Sequence, residues 1–163
     1  MIGDRMVDPI DARILLALNT DPRATTVALA SVTQLSRNTV QARIAKLEQL
    51  GVLRSFERRI EPAALGFPMT AFILTRVTQR RLADIGEALE GISEVVEVHG
   101  LGGVTDLLIH VVAREADDLY HVAGRILDID GVEQTTTAVV MRKFVDYRLT
   151  PLLSSLVRDP ARG

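Results

Sequence analysis

The chain of 163 residues contains no cysteine. That absence removes disulfides, thiol catalysis and cysteine-based zinc sites together, and it fits a reducing compartment. Aromatic residues make up only 4% of the chain, and tryptophan is missing altogether. No apolar run reaches the roughly 18 residues that a membrane span requires. The first eleven residues carry Asp4, Asp8 and Asp11 where an export signal would have its apolar centre. A soluble, cytoplasmic protein without a membrane partner is expected. No Ser-His-Asp arrangement, metal-ligand spacing or supported carboxylate pair occurs, so no enzyme, metal or cofactor is expected.

What is present is ordinary globular material, 47% hydrophobic and 25% charged. It is enough to bury a core without a covalent staple, and the length allows two compact domains. The net charge of -2 is unevenly spread: residues 1–61 carry nine Lys and Arg against seven Asp and Glu, and residues 62–163 carry ten against fourteen. Within 36–60 the basic side chains Arg37, Arg43, Lys46, Arg54, Arg58 and Arg59 stand against only Glu48 and Glu57. A basic segment in an acidic chain is the electrostatic footprint of a polyanion-binding surface. A solvated charged face would carry the same residues, so charge alone does not decide.

Spacing does more. Asp8-Pro9 ahead of Ile10, Ile14, Leu15 and Leu18 reads as a capped helix, closed by Asn19-Thr20-Asp21-Pro22. A second helix is expected over about 26–32, then a three-residue turn, Thr33-Gln34-Leu35. Ser36 caps a third, with Val40, Ile44, Leu47 and Leu50 as its buried stripe and Gly51 as its left-handed stop. Two short helices joined this way form a helix-turn-helix. The second would present Ser36, Arg37, Asn38, Thr39, Gln41, Ala42, Arg43 and Lys46 to DNA. Donors and acceptors for base edges lie near its N-terminus, and cations for phosphates lie along it. After Gly51, residues 52–60 read as an imperfectly alternating strand, a wing whose Arg54 and Arg58 would lie over the DNA backbone. A helical bundle used for protein contacts is the alternative.

Beyond a linker at 61–68, bracketed by Pro62 and Pro68, the pattern is strand, helix, strand, strand, helix, strand. The strands are expected at 69–78, 95–101, 106–113 and 132–141. Leu82, Ile85, Leu89, Ile92 and Val95 map onto Leu119, Val122, Ile126, Ile129 and Val132 at a constant offset of 37 residues. Two halves with one packing register make a β-α-β-β-α-β, ferredoxin-like domain. The fold class is therefore α+β: a winged helix-turn-helix over 1–60, an effector-binding and oligomerising domain over 69–150, and a tail over 151–163. The strands at 69–78 and 106–113 are apolar on both parities, so both sheet faces should be covered. With two helices for one face, a second subunit is the simplest cover for the other, and a homodimer formed sheet to sheet is expected.

These residues together resemble the leucine-responsive regulatory protein/AsnC family, the feast/famine regulators. The resemblance runs from about residue 8 to 153. It rests on Asp8-x-x-Asp11-x-x-Ile14-Leu15-x-x-Leu18 and on Leu29-Ala30 followed by Leu35-Ser36-x-x-Thr39-Val40-x-x-Arg43-Ile44-x-x-Leu47-Glu48-x-x-Gly51-Val52-Leu53. It rests also on Glu61-Pro62-x-x-Leu65-Gly66. The resemblance implies double-stranded DNA as a partner, dimers that assemble to tetramers or octamers, and a small-molecule effector, most often an amino acid, bound between dimers. It implies an effector loop at Gly102, Gly103, Val104, Thr105 and Asp106, joined by Thr135, Thr136 and Thr137 if their hydroxyls line a pocket and are not there for β-propensity alone. Many relatives have an acidic residue at the position of Val104, so an apolar or aromatic effector is expected here. The same architecture also implies two alternatives, a sirohaem-decarboxylase-like enzyme and a metabolite-binding module without DNA binding. Of the histidines, His110 is expected packed or interfacial, His121 exposed, and His99 close enough to the loop to merit testing.

Overall fold

Helix α1 (Pro9–Thr20) starts on a reciprocal cap. Asp8 accepts from the Asp11 backbone at 2.8 Å, and Asp11 accepts from the Asp8 backbone at 3.2 Å. Thr25 caps α2 (Thr26–Thr33), and Gln34 turns the chain with a left-handed φ of 56°. Ser36 caps α3 (Arg37–Gln49), and Gly51 follows with φ +67°, as a helix stop requires. This computed structural model describes residues 7–54 and 59–158, which fall into two units, 1–58 with 145–163 and 59–144. The first unit buries Leu29, Ala30 and Val40 together, with Ala17, Leu18, Ala24, Leu35 and Ile44 packed around them. Val40 and Leu47 of the expected α3 stripe are fully buried and Ile44 is half-buried, but Leu50, at the helix end, is 42% exposed.

One expectation needs correction, and the linker and the tail gain detail. The wing strand is not seen: residues 52–54 and 59–60 are in no strand, and 55–58, with Arg58, lie outside the described residues. The reason is local, because the N–H groups of Val52 and Leu53 turn back onto the Leu47 carbonyl at 2.9 and 3.3 Å. They are spent on closing α3 and have no ladder to join. The linker at 61–68 belongs to the second unit; Pro62–Leu65 form a short 3-10 turn, and the Arg114 guanidinium lies 5.3 Å over the Phe67 ring. The tail contains a helix, α6 (Thr150–Arg158), which packs against α1 in the first unit.

In the second unit β1 (Met69–Val77), α4 (Leu82–Glu90), β2 (Val95–Gly100), β3 (Leu107–Ala113), α5 (Ala116–Leu127) and β4 (Val132–Val139) follow the expected order. The strands pair antiparallel in the order β2-β3-β1-β4, the ferredoxin-like arrangement. One face carries Ala71, Ile73, Val77, Leu107, Ile109 and Val111 into the core against Ile85 and Leu89 of α4 and Leu119, Val122 and Ile126 of α5. The 37-residue repeat therefore holds in packing, with one exception. Leu82 is 40% exposed and Leu119 only 6%, because Leu82 is the first residue of α4 whereas Leu119 lies nearly a turn inside α5. The other face carries Phe72, Leu74, Leu108 and His110, all half-buried. Among the described residues no helix is long and apolar enough to cross a membrane.

Candidate DNA-binding surface and effector loop

α3 turns Arg37, Asn38, Gln41, Ala42 and Lys46 outward as exposed side chains, with Thr39 half-buried beside them. Ser36 accepts from the Thr39 backbone at 3.1 Å, and its hydroxyl lies 2.7 Å from that of Thr39. Both hydroxyls are thus engaged in starting the helix. Asn38, Thr39, Ala42, Arg43 and Lys46 line a surface depression on this side. Free N–H groups at a helix start favour anions, and Arg37, Asn38 and Gln41 offer donors and acceptors of base-reading type. Arg54, beyond the helix, is exposed.

Arg43, expected among the DNA contacts, is half-buried in the same depression and is engaged by α1. Its Nη1 donates to Asp8 and, at 2.9 Å, to Asp11. Asp11 is fully buried, and its carboxylate is satisfied by Arg43 and the Asp8 backbone. Burial alone would raise the pKa of Asp8, but hydrogen bonds from Arg43 and from the Asp11 and Ile10 backbones outweigh it and hold it below the ordinary value. The same pairing, with Asp8 first and then Asp11, raises that of Arg43. The position explains the role. Arg43 falls three residues after Val40 and four before Leu47, on the buried side of α3. It is a strut between α1 and α3, and the capping carboxylates of α1 are the partners that sequence reasoning missed.

The effector loop lies between β2 and β3. Leu101 N–H donates to the Asp106 carbonyl at 2.7 Å and closes it. Gly102, Gly103 and Val104 are exposed, Val104 at 87%, and Thr105 is half-buried. Gly103 has φ +140°, with nothing within 4 Å of a Cβ built there. Glycine is needed for the backbone and not for space. Asp106, expected either to meet an effector or to cap its own turn, is turned to its own chain. Its carboxylate accepts from the Val77 backbone at 2.8 Å and from Gln79 Nε2 at 2.6 Å. The ladder between β1 and β4 shifts register between Arg76 and Val77, and Asp106 takes up the N–H at that irregularity.

The three threonines do not form one surface. Thr135 pairs with Thr75, Thr136 with Leu74 and Thr137 with Ile73. Successive side chains on a strand point to opposite faces, so Thr136 shares the outer face with Leu74 and Leu108, and Thr135 and Thr137 the helix-covered one. Thr75 is fully buried, and its hydroxyl has no hydrogen-bond partner among the described residues. His110 stacks on Phe72 at 4.9 Å between ring centres, as a packed residue, and its buried Nε2 has no hydrogen-bond partner among the described residues. Burial lowers its pKa; Glu97 opposes the shift and His99 adds to it. His99 Nε2 lies 3.4 Å from the Glu97 carboxylate, and the exposed His121 lies 3.4 Å from that of Asp117.

Two family models match the chain: an AsnC-type helix-turn-helix domain over residues 7–48 and an Lrp/AsnC ligand binding domain over 70–150. The chain is 32% identical over 146 residues to the HTH-type transcriptional regulator FL11 of Pyrococcus horikoshii, covering 90% of this chain and 97% of that protein. Its fold is similar to that of E. coli AsnC, with a TM-score of 0.79 and 27% identity over 89% of this chain and 99% of the other. It is also similar to a feast or famine regulatory protein of M. tuberculosis complexed with L-methionine. There the TM-score is 0.76 and the identity 30%, over 86% and 96% of the two chains.

Proposed function

From the premise that this chain belongs to the Lrp/AsnC family of transcriptional regulators, we propose that it binds double-stranded DNA through the outward side of α3. We propose further that a small molecule, an amino acid or a close relative of one, modulates that binding. Arg37, Asn38 and Gln41 read base edges, and Lys46, Arg54 and Arg58 hold phosphates. Thr39 and Ala42 complete the helix surface, and Ser36 fixes the helix start. The observation that carries the reading is the exposed row Arg37, Asn38, Gln41 and Lys46 on a capped helix whose other cation, Arg43, is half-buried and paired with Asp8 and Asp11.

The effector reading rests on the loop Gly102 to Thr105, where Gly102, Gly103 and Val104 are exposed and the two glycines have no Cβ to keep a ligand off the backbone. The methionine held by the M. tuberculosis relative supports an amino acid as the ligand class, and exposed Val104 favours an apolar one. The outer sheet face with Phe72, Leu74 and Leu108 is the surface of a homodimer, which assembles further to a tetramer or octamer. A ligand needs only about 1–3 kcal/mol of differential binding between two assembly states to shift DNA affinity five- to 150-fold.

The test begins with selection of a duplex from a randomised pool by the full chain. Arg37→Ala and Asn38→Ala should each cost roughly 1–3 kcal/mol for that duplex and relax sequence preference. Unchanged affinity and selectivity would contradict the base-reading assignment. Calorimetric titration with the twenty amino acids should show an apolar or aromatic one binding tightest. Tight binding of lysine or aspartate instead would contradict the Val104 argument.

A further inference from the structure

α6 lies, but for its first residue, beyond the segments that the two family models match. It is nonetheless docked. Within the first unit it packs on α1, and Thr150 Oγ1 accepts from Asn19 Nδ2 at 2.9 Å. Leu153, Leu156 and Val157 recur at helical spacing and are half-buried, whereas Leu152 on the other side is 63% exposed. Pro151 stands in the first turn, where a missing N–H costs nothing. These are the marks of a helix with a built apolar face.

The chain leaves the first unit near residue 58 and rejoins it near 145. The second unit is therefore an insertion between the helix-turn-helix and α6, and β4 runs on through 140–149 into α6. α1 receives two fastenings. Near its C-terminal end Asn19 bonds Thr150; at its N-terminus Asp8 and Asp11 hold Arg43 of α3. We infer that α6 is a C-terminal clasp that positions the DNA-binding helices of its own chain: it holds α1, and α1 holds α3 through Arg43. Asn19, Thr150, Leu153 and Leu156 are then positioning residues for DNA binding, although none touches DNA. The inference rests on the DNA-binding reading for its consequence and on the α1–α6 packing for its existence.

The absence of cysteine makes a clean test possible. Asn19→Cys with Thr150→Cys in the full chain places the only two thiols at the clasp. Oxidation, or a short bis-thiol cross-linker, should consume both thiols and give a link within one chain, a monomer-sized band that runs faster unreduced than reduced on a denaturing gel. A dimer-sized product, or no product with either reagent, overturns self-docking. Leu153→Asp with Leu156→Asp should lower affinity for the selected duplex about tenfold, or about 1.4 kcal/mol. The slope against salt should stay the same, because no phosphate contact is lost. Adding the two cysteines to that variant should restore affinity when oxidised and lose it again on reduction. Full affinity without the apolar face, or a loss that the cross-link does not rescue, overturns the positioning role. If the full chain selects no duplex, the DNA reading fails by itself, and the cross-link still decides whether the clasp exists.

Discussion

The first unit is held by a small apolar cluster around Leu29, Ala30 and Val40, and close by it buries a complete carboxylate, Asp11. The second is held by one apolar cluster that runs from Ala71 to Ile126, and among its described residues the only buried polar side chain is the uncharged Thr75. The functional segments differ in the same way. α3 is braced by an ion pair whose acidic partner is out of water, whereas the effector loop is braced by Asp106, half-buried, accepting from neutral donors. The difference teaches where each unit is vulnerable. Removing one partner of a buried ion pair leaves an uncompensated charge, but trimming an apolar core or a neutral brace only removes contacts.

That contrast orders the expected effects. Arg43→Ala should be the most damaging single change, costing the first unit about 3–5 kcal/mol, because Asp11 is left buried and unpaired. Denaturation followed separately for the two units should show the first transition moving and the second staying. Ile109→Ala should do the reverse, costing the second unit about 2–5 kcal/mol by opening a cavity in its core. Asp106→Ala should cost roughly 1–3 kcal/mol, since Val77 N–H and Gln79 both lose their acceptor, and the effect should be confined to hydrogen exchange around β1 and the loop. If Asp106→Ala proved as damaging as Arg43→Ala, the contrast between the braces would be wrong.

The smallest effect is a pH dependence at His110. Burial holds its pKa below 6.5 in the folded chain, with Glu97 opposing and His99 reinforcing. A depressed folded pKa means that the stabilising contribution is complete above the unfolded value and is lost as pH falls through the folded one. Thermal melting of the second unit should therefore drop slightly between about pH 7.5 and 5.5. His110→Leu should flatten that part of the drop.

Much of the fold was legible in the chain because its signals are local. Asp8, Ser36 and Gly51 mark helix ends by their own hydrogen bonds or backbone angles, and the 37-residue repeat shows two helices in one packing register. The site was less legible. A basic residue on a predicted recognition helix does not announce its partner, and Arg43 finds Asp8 thirty-five residues away. Its spacing from Val40 and Leu47 was the available clue. Thr135 to Thr137 could have been separated by the two-residue period of a strand. α6 carries a helical stripe at Leu153, Leu156 and Val157, but its seat on α1 lies about 130 residues earlier, beyond any local cue.

The central claim is that two cations of one helix, Lys46 and Arg43, have different work: one meets phosphate and the other holds the helix. The slope of log affinity against log salt for the selected duplex separates them. Lys46→Ala should flatten it by about 0.9, the signature of one lost phosphate contact. Arg43→Lys, which keeps the charge but not the two-carboxylate fit, should weaken binding with the slope unchanged. A flattened slope for Arg43→Ala at full first-unit stability, or an unaltered slope for Lys46→Ala, would contradict the account.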